Sequence, residues 1–153
     1  MIRKNPIAVT IISFLLVLLF SYAAISKMLE FHKFTGQLKT SPLLQPASGI
    51  LTWLIPTAEL YAVILLLVPS WRRSGLLMAT IVMTAFTLYI SIMLLFFEKL
   101  PCSCGGVFER MSWGQHLAFN IAFTLLAFAG LVLQKLEQDF IAIDRRSRKP
   151  ERE

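Results

Sequence analysis

The chain has 153 residues, of which 56% are hydrophobic and only 16% charged, with a formal net charge of +6. Charges are missing from long blocks rather than thinly spread, which excludes an ordinary soluble domain. Residues 5–26 and 74–97 carry none, 111–134 hold only His116 as a titratable group, and 40–71 hold only Glu59. About 20 apolar residues span the hydrocarbon core as a helix, so each block is long enough to cross. The expected fold is all-α, an integral membrane four-helix bundle. Its helices fall at about 6–28, 49–69, 74–97 and 114–136 in one domain over 1–136, followed by a charged tail over 137–153.

The positive charge is distributed as a topology signal rather than as a nucleic-acid surface. With four spans, Arg3, Lys4, Arg72, Arg73, Lys135 and the tail from Arg145 to Arg152 share one side, which holds ten Lys and Arg. The other side holds five: Lys27, Lys33, Lys39, Lys99 and Arg110. The positive-inside rule then puts both termini in the cytoplasm, where the tail also meets anionic lipid headgroups. For a bacterial inner (plasma) membrane the loop from 98 to 114 faces the periplasm or exterior, where disulfides persist.

Taken in order, Ile7 to Ile25 reads as an uncleaved first helix. Its apolar run exceeds a typical signal core, and Tyr22-Ala23-Ala24 is a poor cleavage site. From Ser26 to His32 polar and apolar residues alternate at helical spacing, which predicts an amphipathic extension along the outer surface. Lys27 is expected to snorkel to the headgroups. Ser41-Pro42 has the form of a helix start, an N-cap hydroxyl before a first-turn proline, and predicts a short interfacial helix.

The second span carries Trp53, Pro56 and Glu59. With the hydrocarbon beginning near Ile50, Glu59 lies about 13 Å deep, where a carboxyl must be protonated, paired or facing a polar cavity. It is either a proton-handling group beside a membrane-soluble electron carrier or a structural hydrogen-bonding group between helices. In the third span Thr80, Thr84, Thr87 and Ser91 share a face, read as interhelical packing. Ser112 and Gln115 form a capping-box pattern at the start of the fourth span. Along that span His116, Asn120 and Thr124 form a polar stripe, with Asn120 and Thr124 near the depth of Glu59. Beyond Lys135 the chain is expected to become amphipathic and then fray. Trp53, Trp71 and Trp113 read as interfacial belt residues.

Cys102 and Cys104 are the only cysteines, within Pro101-Cys102-Ser103-Cys104-Gly105-Gly106. A bridge between residues i and i+2 closes a small strained ring, a poor staple and a plausible exchange centre. The backbone N–H groups of Gly105 and Gly106 can support a thiolate. The rival readings are a soft metal ion held by two thiolates, for which no Cys or His cluster completes a site, and inert or partner-bonded thiols. His116, in the first turn of the fourth span and a few residues from the loop that holds the cysteines, is either a base toward a thiol or reduced carrier, or an interfacial histidine bonded to the loop.

Three features together resemble the MauE branch of the DoxX-like membrane proteins over residues 6–136: Ser26-Lys27 closing the first helix, Trp53-x-x-Pro56-x-x-Glu59, and Cys-x-Cys-Gly-Gly before Trp113-x-x-His116. The resemblance implies a four-helix bundle linked to redox work outside the membrane, beside a thioredoxin-like partner. DoxX relatives are tied to quinone-linked chemistry, and the vitamin K epoxide reductase group, of similar architecture, passes electrons from cysteines to quinone. Carried over, it points to Cys102, Cys104, Glu59 and His116 as catalytic, and to Trp53, Glu59 and Asn120 around a quinone. One cysteine pair instead of two means that any relay needs a separate thioredoxin-like protein. Methylamine, the substrate linked to the MauE branch, has no signal in the residues. The expected function is thiol–disulfide exchange with an extracytoplasmic protein, linked to membrane quinone. The alternatives are a non-catalytic membrane anchor or assembly subunit of a larger complex, and a small transporter built around Glu59, for which no internal repeat supplies two half-bundles.

Overall fold

Proline sets two of the helix boundaries. Residues before proline are pushed out of the helical region by its ring. Ser41 (ψ 121°) before Pro42 and Val68 (ψ 113°) before Pro69 are both extended and both stop a helix. The computed structural model describes residues 5–97 and 112–147, and their regular structure is helical. The elements are α1 (Asn5–Leu29), α2 (Phe31–Thr40), α3 (Ser48–Leu67), α4 (Arg72–Phe96) and α5 (Trp113–Ser147), with 3-10 turns at Gln45–Ala47 and Pro69–Trp71. Among the described residues four segments are long and apolar enough to cross a membrane: Ile7–Leu29, Gln45–Leu67, Pro69–Phe96 and Trp113–Asp144. The protein is a multi-pass membrane bundle.

The four long helices form a ring. The main contacts run between α1 and α3, α3 and α4, α4 and α5, and α5 and α1. Apolar residues three or four apart on α1 (Val9, Ile12, Leu16, Phe20) meet Leu66, Leu76 and Met83 in the core, with Ala62, Ala79 and Ala127 where helices approach closely. Small residues at such contacts are what membrane packing selects, because lipid offers no hydrophobic drive between helices. Gly75 carries this furthest. A Cβ added there would lie 2.7 Å from the Leu66 backbone nitrogen, so the backbones of α3 and α4 touch next to their turn. Outward-facing Phe14, Leu18, Ile64, Leu77 and Leu125 are at least half exposed, as a lipid-facing surface requires.

One end of the bundle gathers the start of α1, the α3–α4 turn and the distal part of α5. There Arg72 donates to Thr10 Oγ1 and Arg73 to Gln138 Oε1, each at 3.3 Å. At the other end α1 stops at Leu29. A single non-helical residue, Glu30 (φ −103°, ψ 39°), turns the chain into α2, the expected amphipathic extension, with Phe34 and Leu38 on its buried face.

Two expectations need correction. Ser41-Pro42 ends a helix instead of starting one: Ser41 Oγ pairs with Tyr89 Oη at 3.0 Å, and only a three-residue 3-10 turn follows. The fourth span continues as helix past its expected end at about 136, while 148–153, the end of the tail expected to fray, lie outside the described residues. As α5 it runs to Ser147, about 52 Å of helix by 1.5 Å per residue. The hydroxyls of Thr80, Thr84, Thr87 and Ser91 each donate to the carbonyl four residues back. Of these, Thr87 also reaches another helix, pairing with Thr124 at 3.0 Å. The capping box is present as expected, with Ser112 N–H donating to Gln115 Oε1 and Gln115 N–H to Ser112 Oγ.

Candidate functional site

Lys27 does not snorkel. It turns inward and its Nζ lies 2.8 Å from Glu59 Oε1, an ion pair whose side chains are 11% and 2% exposed. α3 begins at Ser48, eleven residues or about 17 Å before Glu59. α1 ends two residues after Lys27. The two helices therefore stop at different levels, and α2 fills the step. A buried carboxylate or ammonium alone is costly; brought together, each supplies the other's counter-charge. Lys27 also donates to the Ala23 carbonyl at 3.3 Å, and its ammonium stands 5.9 Å from the Phe34 ring and 5.7 Å from that of Phe86. The second carboxylate oxygen, Glu59 Oε2, is buried with no hydrogen-bond partner among the described residues.

This pair lines a cavity of about 370 Å³ whose walls are otherwise mostly apolar. α1 contributes Phe20, Ala23 and Lys27, and α2 covers it with Phe34, Gln37 and Leu38. From α3 come Ile55, Ala58 and Glu59, from α4 Phe86 and Tyr89, and from α5 Trp113, His116 and Asn120. Cavity residues Leu54 on α3, Ile81 on α4 and Tyr22 on α1 are 55%, 56% and 39% exposed, so the cavity is not sealed off from the outside of the bundle. α3 and α4 are clamped together at Gly75 near the opposite end.

Of the residues singled out from sequence, Glu59, His116 and Asn120 come together here. Asn120 is buried and its amide donates to the His116 carbonyl at 2.9 Å. Thr124 is tied to Thr87 instead and does not line the cavity. Trp53 also lies outside it: the indole is 67% exposed and packs 5.1 Å from the Phe31 ring, as a belt residue would. Trp113 faces the cavity, in addition to any interfacial position. Cys102 and Cys104 lie outside the described residues. Their segment leaves α4 after Phe97 and re-joins the chain at Ser112, one residue before the cavity-lining Trp113.

The residue that sequence reasoning missed is Lys27. The signal was present: Lys27 and Glu59 are lone opposite charges in or beside the first two apolar blocks. Chemically, the arrangement presents one charged acceptor and one charged donor side by side against aromatic walls. A small, mostly apolar ring bearing oxygen substituents suits such a space.

No curated protein and no solved structure matches this chain. A protein-family model described as Methylamine utilisation protein MauE matches residues 5–133, most of its length, and the chain belongs to that family.

Proposed function

We propose that the protein is a membrane thiol–disulfide redox protein that links Cys102 and Cys104 to a quinone-class carrier in the Lys27–Glu59 cavity. The observation that carries this reading is the buried ion pair, whose second carboxylate oxygen has no hydrogen-bond partner among the described residues, in a mostly apolar cavity. The fit to a quinone is chemical. A ring with oxygens at its edge meets aromatic and aliphatic walls, an ammonium donor for a carbonyl, and a carboxylate acceptor for a hydroxyl.

In this reading an extracytoplasmic thioredoxin-like protein gives up two electrons and two protons from its dithiol and becomes a disulfide. The Cys102–Cys104 bond breaks and takes up those electrons and protons as two thiols. The pair closes again by passing both onward, so that it is unchanged after a cycle. When bound, the quinone supplies a two-electron, two-proton acceptor. Lys27 fixes the carrier's oxygen, Glu59 Oε2 exchanges a hydrogen bond and a proton with it, and His116 stands at the cavity end nearest in sequence to the cysteines. The family's description concerns methylamine utilisation; a maturing protein of that process is one extracytoplasmic substrate that fits, and methylamine itself is not part of the proposal.

The test is anaerobic reduction of a short-chain quinone by the purified full chain with a dithiol donor. Cys102→Ser is expected to abolish the protein-dependent rate, leaving only the background of donor and quinone. An unchanged rate overturns the mechanism. Cysteines fixed in one redox state in cells, trapped by acid and alkylated, point instead to an anchoring or assembly subunit.

A further inference from the structure

We infer that the cavity is built to hold the reduced, hydroxyl-bearing form of its ligand more tightly than the oxidised form, with Glu59 Oε2 as the group that tells them apart. This rests on the cavity reading above, but not on the chemistry of the cysteines. Lys27 spends two of its three N–H groups, on Ala23 O and Glu59 Oε1. One remains for a ligand oxygen, and either a carbonyl or a hydroxyl accepts it. Glu59 Oε2 is different. As the carboxylate partner of the Lys27 ammonium it is an acceptor only, held by a residue 1% exposed, with no hydrogen-bond partner among the described residues. A buried acceptor in that state is costly until a donor reaches it. A quinone has no O–H to offer, whereas a hydroquinone or another phenol does. The reduced ligand therefore makes one more charge-assisted hydrogen bond than the oxidised one.

A hydrogen bond to a charged group makes a preference of at least about tenfold. The preference has a direction of flow built into it. Tighter binding of the reduced form makes the bound couple a better oxidant, by about 30 mV for each tenfold in a two-electron couple. The site thereby draws electrons from thiols toward the carrier.

The experiment uses the full chain in lipid nanodiscs with Cys102→Ser and Cys104→Ser, so that no electrons pass, under anaerobic conditions and against empty nanodiscs. Isothermal titration calorimetry compares a decyl-substituted benzohydroquinone, the matching benzoquinone and the dimethyl ether of the hydroquinone. The hydroquinone is expected to bind at least about tenfold more tightly than the quinone, and the ether, which keeps its oxygens but has no donor, to fall to the quinone's level. Glu59→Gln is expected to remove most of the preference. Where that variant does not fold, the ether comparison in the Glu59-containing protein carries the test. Equal or weaker binding of the hydroquinone overturns the inference and leaves the cavity reading intact. No saturable binding by any of the three overturns both.

Discussion

Lys27 and Glu59 are each expensive where they stand, and that expense makes their pairing sharp. Removing one partner leaves an uncompensated buried charge, typically a loss of about 3–5 kcal/mol, whereas replacing both with apolar residues of similar size is often close to neutral. Lys27→Met alone is therefore expected to lower the Tm of the detergent-solubilised protein steeply. The double replacement Lys27→Met with Glu59→Leu is expected to recover most of it while losing hydroquinone binding. If the double variant is as unstable as the single one, the pair is not what burdens this part of the bundle. The position of Glu59 in a span was legible because a lone carboxyl in a charge-free block has few options. The pairing was not legible, because the sequence carries no measure of the level of Lys27 relative to Glu59. α1 stops well short of the level at which α3 begins, and only the packed bundle sets that offset.

Among the elements, α3 and α4 touch at Gly75 and line the cavity farther along, α3 with Leu54 and Glu59 and α4 with Ile81 and Phe86. At Gly75 an added methyl group meets backbone atoms of Leu65 and Leu66 at 2.8 and 2.7 Å. At Gly130 it meets only side-chain atoms of Ile12 and Leu76, at 2.9 and 3.0 Å. Backbone in a helix cannot yield as a leucine methyl can. Gly75→Ala is expected to cost about 1–3 kcal/mol as overpacking does and to pry the α3–α4 contact apart, with Gly130→Ala clearly milder. Unfolding midpoints of the two variants in one detergent check the order; equal midpoints would mean that the Gly75 contact is loose. Glycine in an apolar block does not announce such a contact in sequence, because Gly49 and Gly114 stand in such blocks with nothing within 4 Å. Ser41-Pro42 carries signals for both a helix start and a helix stop. The stop wins because α2 precedes it and Tyr89 takes the hydroxyl.

For the whole molecule, charge-free blocks made four spans legible, whereas the order of helices around the ring was not. Periodicity shows which face of a helix is buried but not which neighbour covers it. The two ends of the bundle differ in the charge they carry. Arg72 and Arg73 tie the α3–α4 turn to the start of α1 and to α5 at one end, while Lys33 and Lys39 lie on α2 at the other. Because translocation disfavours Lys and Arg in short loops, the end with ten of the 15 basic residues is expected to stay cytoplasmic. The check is labelling of single cysteines placed in a chain with Cys102→Ser and Cys104→Ser. Ser74→Cys, exposed at the start of α4, reports the arginine end, and Thr40→Cys, exposed at the end of α2, reports the cavity end. In intact spheroplasts a membrane-impermeant maleimide is expected to label Thr40→Cys at once and Ser74→Cys only after lysis. The reverse pattern would put the cavity end, and the point where the cysteine segment leaves α4, in the reducing cytoplasm. A disulfide there would be short-lived, and extracytoplasmic exchange through Cys102 and Cys104 would be ruled out on topology alone.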